Sequence, residues 1–343
     1  MPDTTGLPLG MALALFAASG AVIAFLGWRV VGLADRLADR TGFGEALFGA
    51  LFLGGTTSLA GLVVSFSSAW HGYPALAVSN CLGGIAAQTA FLALADMAHR
   101  RANLEHATAS VESLTQSTLL MALLALPLLG MTLPAYSLFG LSPVTVALPL
   151  ACLVGQRLVQ RAHAYPMWHP RETAHTQADV PDPTPPRERL AALWLNFGLH
   201  AAGLMASGYM LTLAAERLAG STGLSETLIG GLLTAVVTSL PELIVAIAAV
   251  RRGALALAVG NILGGNCFDV LFIAAADAGY REGPIYAALD ERTLGLLALN
   301  LLLTSVVMLG LLGRERHGPG NIGLESVLVL VLYVGGFTLV ALG

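Results

Sequence analysis

Lysine is missing from this chain. All 17 basic residues are arginine, set against 21 acidic ones, for a formal net charge of −4. Charge of either sign is scarce. It makes up 11% of the 343 residues, where soluble domains carry about 25%. With 56% hydrophobic residues and a mean hydropathy of +0.75, that scarcity excludes an ordinary soluble domain. The small net charge offers no basic surface, so no nucleic-acid partner is expected. Cysteine is rare too. Cys81, Cys152 and Cys267 each lie within a long apolar run, where structural disulfides do not belong. No nucleophile–base pair and no phosphate-cradling loop is present, so neither enzyme chemistry nor ATP drive is expected.

What fills the chain is apolar segments. Ten can be read, near 9–28, 44–69, 75–97, 117–134, 142–160, 191–214, 226–250, 254–276, 292–312 and 324–342. Each has about the 17–25 residues needed to cross the hydrocarbon core of a bilayer. The arginines set the expected orientation. With an external N-terminus, the cytoplasmic ends collect Arg29, Arg36, Arg40, Arg100, Arg101, Arg157, Arg161, Arg171, Arg187, Arg189, Arg251, Arg252, Arg314 and Arg316. Only Arg217, Arg281 and Arg292 fall outside. Ten spans then place both termini externally in a multi-pass protein of the cell membrane. The first apolar segment follows MPDTTGLP, which lacks a basic region, so it reads as a retained helix rather than a cleaved signal.

Two stretches are copies. LGGTTSLAGLVVSF and ALAVSNCLGGIAAQTAF, within 41–96, match TAVVTSLPELIVAI and ALAVGNILGGNCFDVLF, within 222–277, at a gapless offset of 181 (242 − 61 = 181). Five spans per copy is an odd number, so the second copy crosses the membrane upside down. Inverted repeats of this kind mark secondary transporters, whose sites form where the copies meet. The expected organisation is a first repeat over 1–163, a polar, proline-rich cytoplasmic linker over 164–188, and a second repeat over 189–343. The fold class is all-α, a polytopic membrane protein with ten transmembrane helices as two inverted five-helix repeats. His163, His169 and His175, in or beside the linker, match no metal-binding spacing and read as solvated.

Smaller features read as structural. Thr222 and Ser225 are candidate helix caps, with Glu45 and Glu226 at the positive ends of matching helices. Gly72 and Gly253 mark tight turns. Asp96 and Asp277, a matched pair at opposite membrane faces, are expected to cap or solvate helix ends rather than to gate.

The chemistry lies deeper. Thr238, Ser239 and Glu242 fall about midway along one apolar segment, and Asp269 about midway along the next. A carboxylate at that depth costs several kcal/mol, roughly, unless a cation, a proton or a polar cavity compensates it. Two acids reaching one depth on adjacent helices suggest a cation site; the alternative is a protonated, hydrogen-bonded pair. Pro241 is expected to bend the helix beside Glu242, and Gly260, Gly264 and Gly265 to loosen the facing helix, to allow close helix packing, or both. Helix breaks free carbonyl oxygens, which hard cations favour.

TSLPEL, then GNILGGN and FD, closely resembles the alpha repeats of the sodium/calcium exchanger superfamily. The resemblance covers both halves, including the TGLSE entry to the seventh helix and the LESVLVLVLYV of the last. It implies alternating-access antiport of Ca²⁺ or a related cation against Na⁺ or H⁺, with small cations and the lipid bilayer as partners. It implies no resident cofactor, the cations being cargo. It also implies that Thr238, Ser239, Glu242 and Asp269 coordinate ions in the second repeat, and that Thr57, Ser58 and Gln88 do so in the first. The family's first-half glutamate is Gly61 here, its GSN serine is Gly84 and Gly265, and its first-half asparagine or aspartate is Gln88. One wall of the expected site is therefore weakened. A non-transporting cation sensor or assembly partner on the same scaffold is the competing expectation.

Overall fold

The computed structural model describes residues 7–41, 54–98, 103–134, 136–137, 140–164, 189–252, 255–315 and 322–342. Glu45, Gly253, His169, His175 and nearly all of the expected linker lie outside these residues, and the side chain of His163 is likewise not described. The elements are α1 (Leu9–Thr41), α2 (Gly54–Thr57), α3 (Leu59–Trp70), α4 (Pro74–Ala98), α5 (Leu104–Thr108), α6 (Val111–Thr132) and α7 (Pro143–Ala164). The second half holds α8 (Leu190–Thr222), α9 (Glu226–Thr238), α10 (Leu240–Arg252), α11 (Leu255–Asp269), α12 (Leu271–Gly279), α13 (Glu291–Gly313) and α14 (Leu324–Leu342). A 3₁₀ turn, Ile285–Ala288, precedes α13.

Among the described residues, eight helices are long and apolar enough to cross a membrane, and the bent pair α9–α10 makes a ninth span. The tenth, expected over 44–69, is described from Gly54 onward as α2 and α3. The chain is an all-helical, multi-pass membrane protein built from two inverted repeats.

The offset of 181 reappears in the structure. Adding it to the ends of α1, Leu9 and Thr41, gives the ends of α8, Leu190 and Thr222. It carries α2 onto Ala235–Thr238, the start of α4 onto that of α11, and the ends of α6 to within one residue of those of α13. Each repeat breaks its second span at a serine. Ser58 separates α2 from α3, and Ser239 separates α9 from α10 with a 45° bend. The 45° bend falls just before Pro241, as expected of a residue that cannot donate a helical hydrogen bond, while the first half breaks with Ala60 at the matching position, so a break there forms without a proline. Thr238 adds to the second-half break, its hydroxyl donating to the Ala235 carbonyl (3.2 Å). A six-residue π-helical stretch, Ile229–Thr234, widens α9 just before the break.

The expectation for the glycines needs correction. Helix α11 runs unbroken through Gly260, Gly264 and Gly265 and ends at Asp269, with Val270 as the discontinuity. In the first half α4 runs through the matching positions without a break. Gly83, the partner of Gly264 by the offset, serves close approach instead. A Cβ on Gly83 would lie 1.9 Å from the Gly231 carbonyl oxygen, so α4 meets the π-helical stretch backbone to backbone.

Burial follows role. The apolar window of α4 is 94% buried and lies at the centre of the bundle, while that of α8 is 11% buried. Helices α1 and α8 pack along each other at the rim, where Phe25, Trp28, Leu195 and Leu199 point outward. These two helices cross the broken spans at matched glycines. Gly27 takes Pro241 against its backbone, and Gly208, its partner by the offset, takes Ala60.

Asp96 and Asp277 resolve as structural pins. The Asp277 carboxylate accepts from Ile285 N (2.6 Å), Ser142 N (3.0 Å) and the Thr145 hydroxyl. Asp96 accepts from Leu104 N (2.7 Å) and Gly323 N (3.0 Å), the same positions displaced by 181 in exchanged halves. Each aspartate thus ties its own repeat to the start of the last helix of the other. Ser225 caps α9 by accepting from Leu228 N (3.2 Å), and Gly72 turns at φ 86°.

Candidate functional site

The two serine breaks and the facing helices α4 and α11 enclose a small polar cavity. It is lined by Ser58, Gln88, Thr238, Ser239, Glu242 and Asp269, together with Gly61, Asn80, Cys81, Gly84 and Phe272. Its free volume is about 10 Å³, the room of one water or one dehydrated ion. Six of the seven residues expected from the sequence converge here. The seventh, Thr57, places its side chain against the Glu242 carboxylate from just behind Ser58.

Contacts cross between the repeats. Ser58 Oγ donates to Glu242 Oε1 at 3.1 Å and also lies within reach of Asp269. Gln88 Nε2 donates to Asp269 Oδ2 at 2.6 Å. Gln88 and Asp269 are partners by the offset, so this bond sits on the pseudo-twofold axis relating the halves. Both acids are buried, Glu242 at 2% exposure and Asp269 at 3%, and close enough to repel one another.

Three oxygens in this group lack a hydrogen-bond partner: Glu242 Oε2, Asp269 Oδ1 and Gln88 Oε1. A buried carboxylate oxygen without a donor costs about 1–3 kcal/mol or more. Nearly every buried polar group in a folded protein is paired, so three together need a physical reason. A cation supplies one, because two carboxylate oxygens, an amide oxygen and the hydroxyls of Ser58, Thr238 and Ser239 suit a hard ion. Among the described residues no three His, Cys, Asp or Glu side chains are arranged to hold a metal. The centre is therefore two acids completed by neutral oxygens.

Sequence reasoning missed three participants. Asn80 donates to the Gly61 carbonyl and to Ser65 Oγ (both 3.1 Å) and accepts from Thr234 Oγ1 (2.8 Å), fixing the backbone where the first-half acid is absent. Its repetition as Asn261 was a signal available in the sequence. Phe272 fills the space beside Gly61; a Cβ on Gly61 would lie 3.2 Å from its ring. Cys81 donates its thiol to the Asp269 carbonyl at 3.0 Å. Nothing in the sequence pattern distinguished Phe272 or Cys81 from other apolar positions.

Comparison with known proteins bears on this arrangement. The sodium/calcium exchanger protein family matches residues 11–158 and 192–342, one stretch in each repeat. This chain belongs to the sodium/calcium exchanger family. CaxA of Alkalimonas amylolytica, which carries an antiporter name, is 35% identical over 162 residues, 46% of this chain and 47% of that protein. The inner membrane protein YrbG of Escherichia coli (strain K12) is 34% identical over 149 residues, 43% of this chain and 42% of that protein. These alignments thus span under half the length of the curated relatives. The solved structure of the sodium-calcium exchanger NCX_Mj soaked with 2.5 mM Na⁺ and 0.1 mM Sr²⁺ matches with a TM-score of 0.62 at 16% identity. The match covers 96% of this chain and 99% of that one. At that identity the likeness establishes the shared fold of this family member.

Proposed function

We propose that this exchanger-family protein is a secondary active antiporter of the cell membrane. It moves Ca²⁺ or a related cation against Na⁺ or H⁺ by alternating access, with both termini external and the linker cytoplasmic. The observation that carries the reading is the pair of buried acids, Glu242 and Asp269, at the meeting of the repeats, with unpaired oxygens aimed into a cavity of ionic size. Glu242 and Asp269 supply the charge. Thr57, Ser58, Thr238, Ser239 and Gln88 supply neutral oxygen, and no resident cofactor or covalent step is involved. The cation is substrate, and binding and release at opposite faces is the whole reaction.

Gly61 favours a second reading, in which the scaffold binds a cation without moving it. Reconstituted vesicles separate the two. Radioactive Ca²⁺ uptake driven by an outward Na⁺ gradient, or by a pH gradient, supports antiport. Saturable Ca²⁺ binding without flux under either gradient rejects antiport of Ca²⁺ and favours the sensor.

A further inference from the structure

The pseudo-symmetry fails at a buried place away from the central cavity. Around Asp277, residue 286 is tyrosine and residue 144 is valine. Around Asp96, the same positions, reached by the offset in exchanged halves, are Glu105 and Glu325. Glu105 lies in α5, in the connection between two spans, and is 4% exposed. Glu325 opens α14 and is 8% exposed. Glu325 is seated rather than solvated: a Cβ on Gly310 would strike its Cγ at 2.6 Å, and one on Gly323 its Oε1 at 2.8 Å. The two glutamate side chains are within hydrogen-bond reach of each other. Glu105 Oε2 and Glu325 Oε1 have no donor, and Asn103 Nδ2, itself unpartnered, faces the same spot beside Gly323.

The geometry points to a proton-binding site: Glu105 and Glu325 share one proton, in a carboxyl–carboxylate hydrogen bond, where α5 meets the start of α14. Two carboxylates at hydrogen-bond distance in a buried site cannot both be ionised without strong repulsion, and one proton between them satisfies both orphaned oxygens. Among the described residues the group is a pair of acids and not a triad of acidic, His or Cys ligands, and Ca²⁺ added in the test below separates a shared proton from a bound cation. The surrounding charges have defined roles. Asp96, on α4, adds negative charge while its own oxygens hold Leu104 N and Gly323 N. Glu315 adds more, from beyond α13. The Arg314 guanidinium is turned to the His106 carbonyl (Nη2 to O, 3.2 Å), and His106 Nδ1 bonds the Arg314 carbonyl (2.7 Å). Ser326 Oγ donates to Glu105 Oε1 at 3.4 Å.

Burial first, then the charges of Asp96 and Glu325, push the Glu105 carboxyl up to about 8. The folded chain therefore holds a proton that the unfolded chain releases near the ordinary glutamate value. Stability from this group is highest in mild acid and falls as pH rises towards 8. Loss of the proton leaves three carboxylates around the peptide nitrogen of Gly323, loosening the attachment of α14 to the first repeat. The site thus couples proton concentration on the linker side to the packing of the last helix. It does so independently of the central acids.

The test uses the full chain in lipid nanodiscs with Glu242→Gln and Asp269→Asn, which silences the central pair. Infrared spectra should show the carbonyl stretch of a protonated carboxyl at pH 6.5, fading with a midpoint near 8, and absent in Glu105→Gln. The thermal midpoint should fall between pH 6.5 and 9 in this parent, and most of that fall should vanish in Glu105→Gln. If Glu105→Gln does not fold, Glu325→Gln is read by the same criteria. Ser326→Ala, which removes a donor to the ionised form, should then move the band's midpoint upward. The proposal is overturned by a band that survives unchanged in both glutamine variants, by no band at pH 6.5, or by a Ser326→Ala midpoint that stays or moves downward. Thermal stabilisation by Ca²⁺ in this parent that is lost in Glu105→Gln also overturns it, since the site would then take a cation.

Discussion

Gly61 occupies the position matching Glu242, and restoring an acid there tests whether the centre is a weakened exchanger site. Gly61→Glu adds one carboxylate on the wall opposite Glu242 and Asp269. Unit charges 4 Å apart at an effective dielectric of about 20 interact by about 4 kcal/mol, and a divalent ion by about twice that. Repulsion from the two existing carboxylates and desolvation of the new one offset most of this gain. The structure adds a steric cost, because the new Cβ would sit 3.2 Å from the Phe272 ring and 3.6 Å from Thr238 Oγ1. Phe272 is 3% exposed and packs edge-on against Phe268, so the ring has little freedom to yield. Overpacking of this kind costs about 1–3 kcal/mol. The expected net is roughly 1.4–3 kcal/mol in favour of Ca²⁺, about 10- to 100-fold in affinity. Gln88 is left in place, because its amide holds Asp269 Oδ2 at 2.6 Å and a shorter asparagine would withdraw that donor. Isothermal titration or a Ca²⁺-dependent thermal shift measures the change. Gly61→Glu with Phe272→Ala, compared with Phe272→Ala alone, removes the steric term. Folded proteins in both backgrounds that bind Ca²⁺ no better than their parents would refute the reasoning.

Four further outcomes are expected. Glu242→Gln should abolish cation flux in vesicles while leaving a folded protein, since it neutralises the carboxylate held by Ser58 without changing its shape; a well-expressed mutant with full flux counts against the site. Gln88→Leu should lower stability by about 1–3 kcal/mol, because Asp269 Oδ2 loses its donor in a buried site; thermal unfolding checks this. Asp277→Ala should cost about 2–6 kcal/mol by orphaning the buried amides of Ile285 and Ser142, with Asp277→Asn milder and Ca²⁺ binding retained by the folded fraction of each. Impermeant thiol labelling should reach Gly343→Cys but not Ala178→Cys in intact cells; the three native cysteines are buried and give little background. Labelling of 178 alone reverses the orientation.

Much of this protein is legible in one dimension. Apolar segment length follows from bilayer thickness. The offset of 181 follows from duplication, and helix ends repeat at that spacing because matching sequences stop their helices at matching residues, as Thr41 and Thr222 do. Glu242 and Asp269 stood out because a mid-membrane acid is expensive wherever it sits. What the linear pattern could not decide depends on the other half of the molecule. Pro241 marks the bend beside Glu242, but the matching break at Ser58 has an alanine in that position, and only the fold reveals it. Gly265 is expected to loosen α11, yet the helix runs through it. Phe272 reads as one more apolar residue until the fold sets its ring against Gly61. Gln88 and Asp269 are 181 residues apart, and only the inverted packing of the repeats brings them within 2.6 Å. Burial of a polar pair is a property of both partners' surroundings, so tertiary structure alone decides which oxygens stay unpaired.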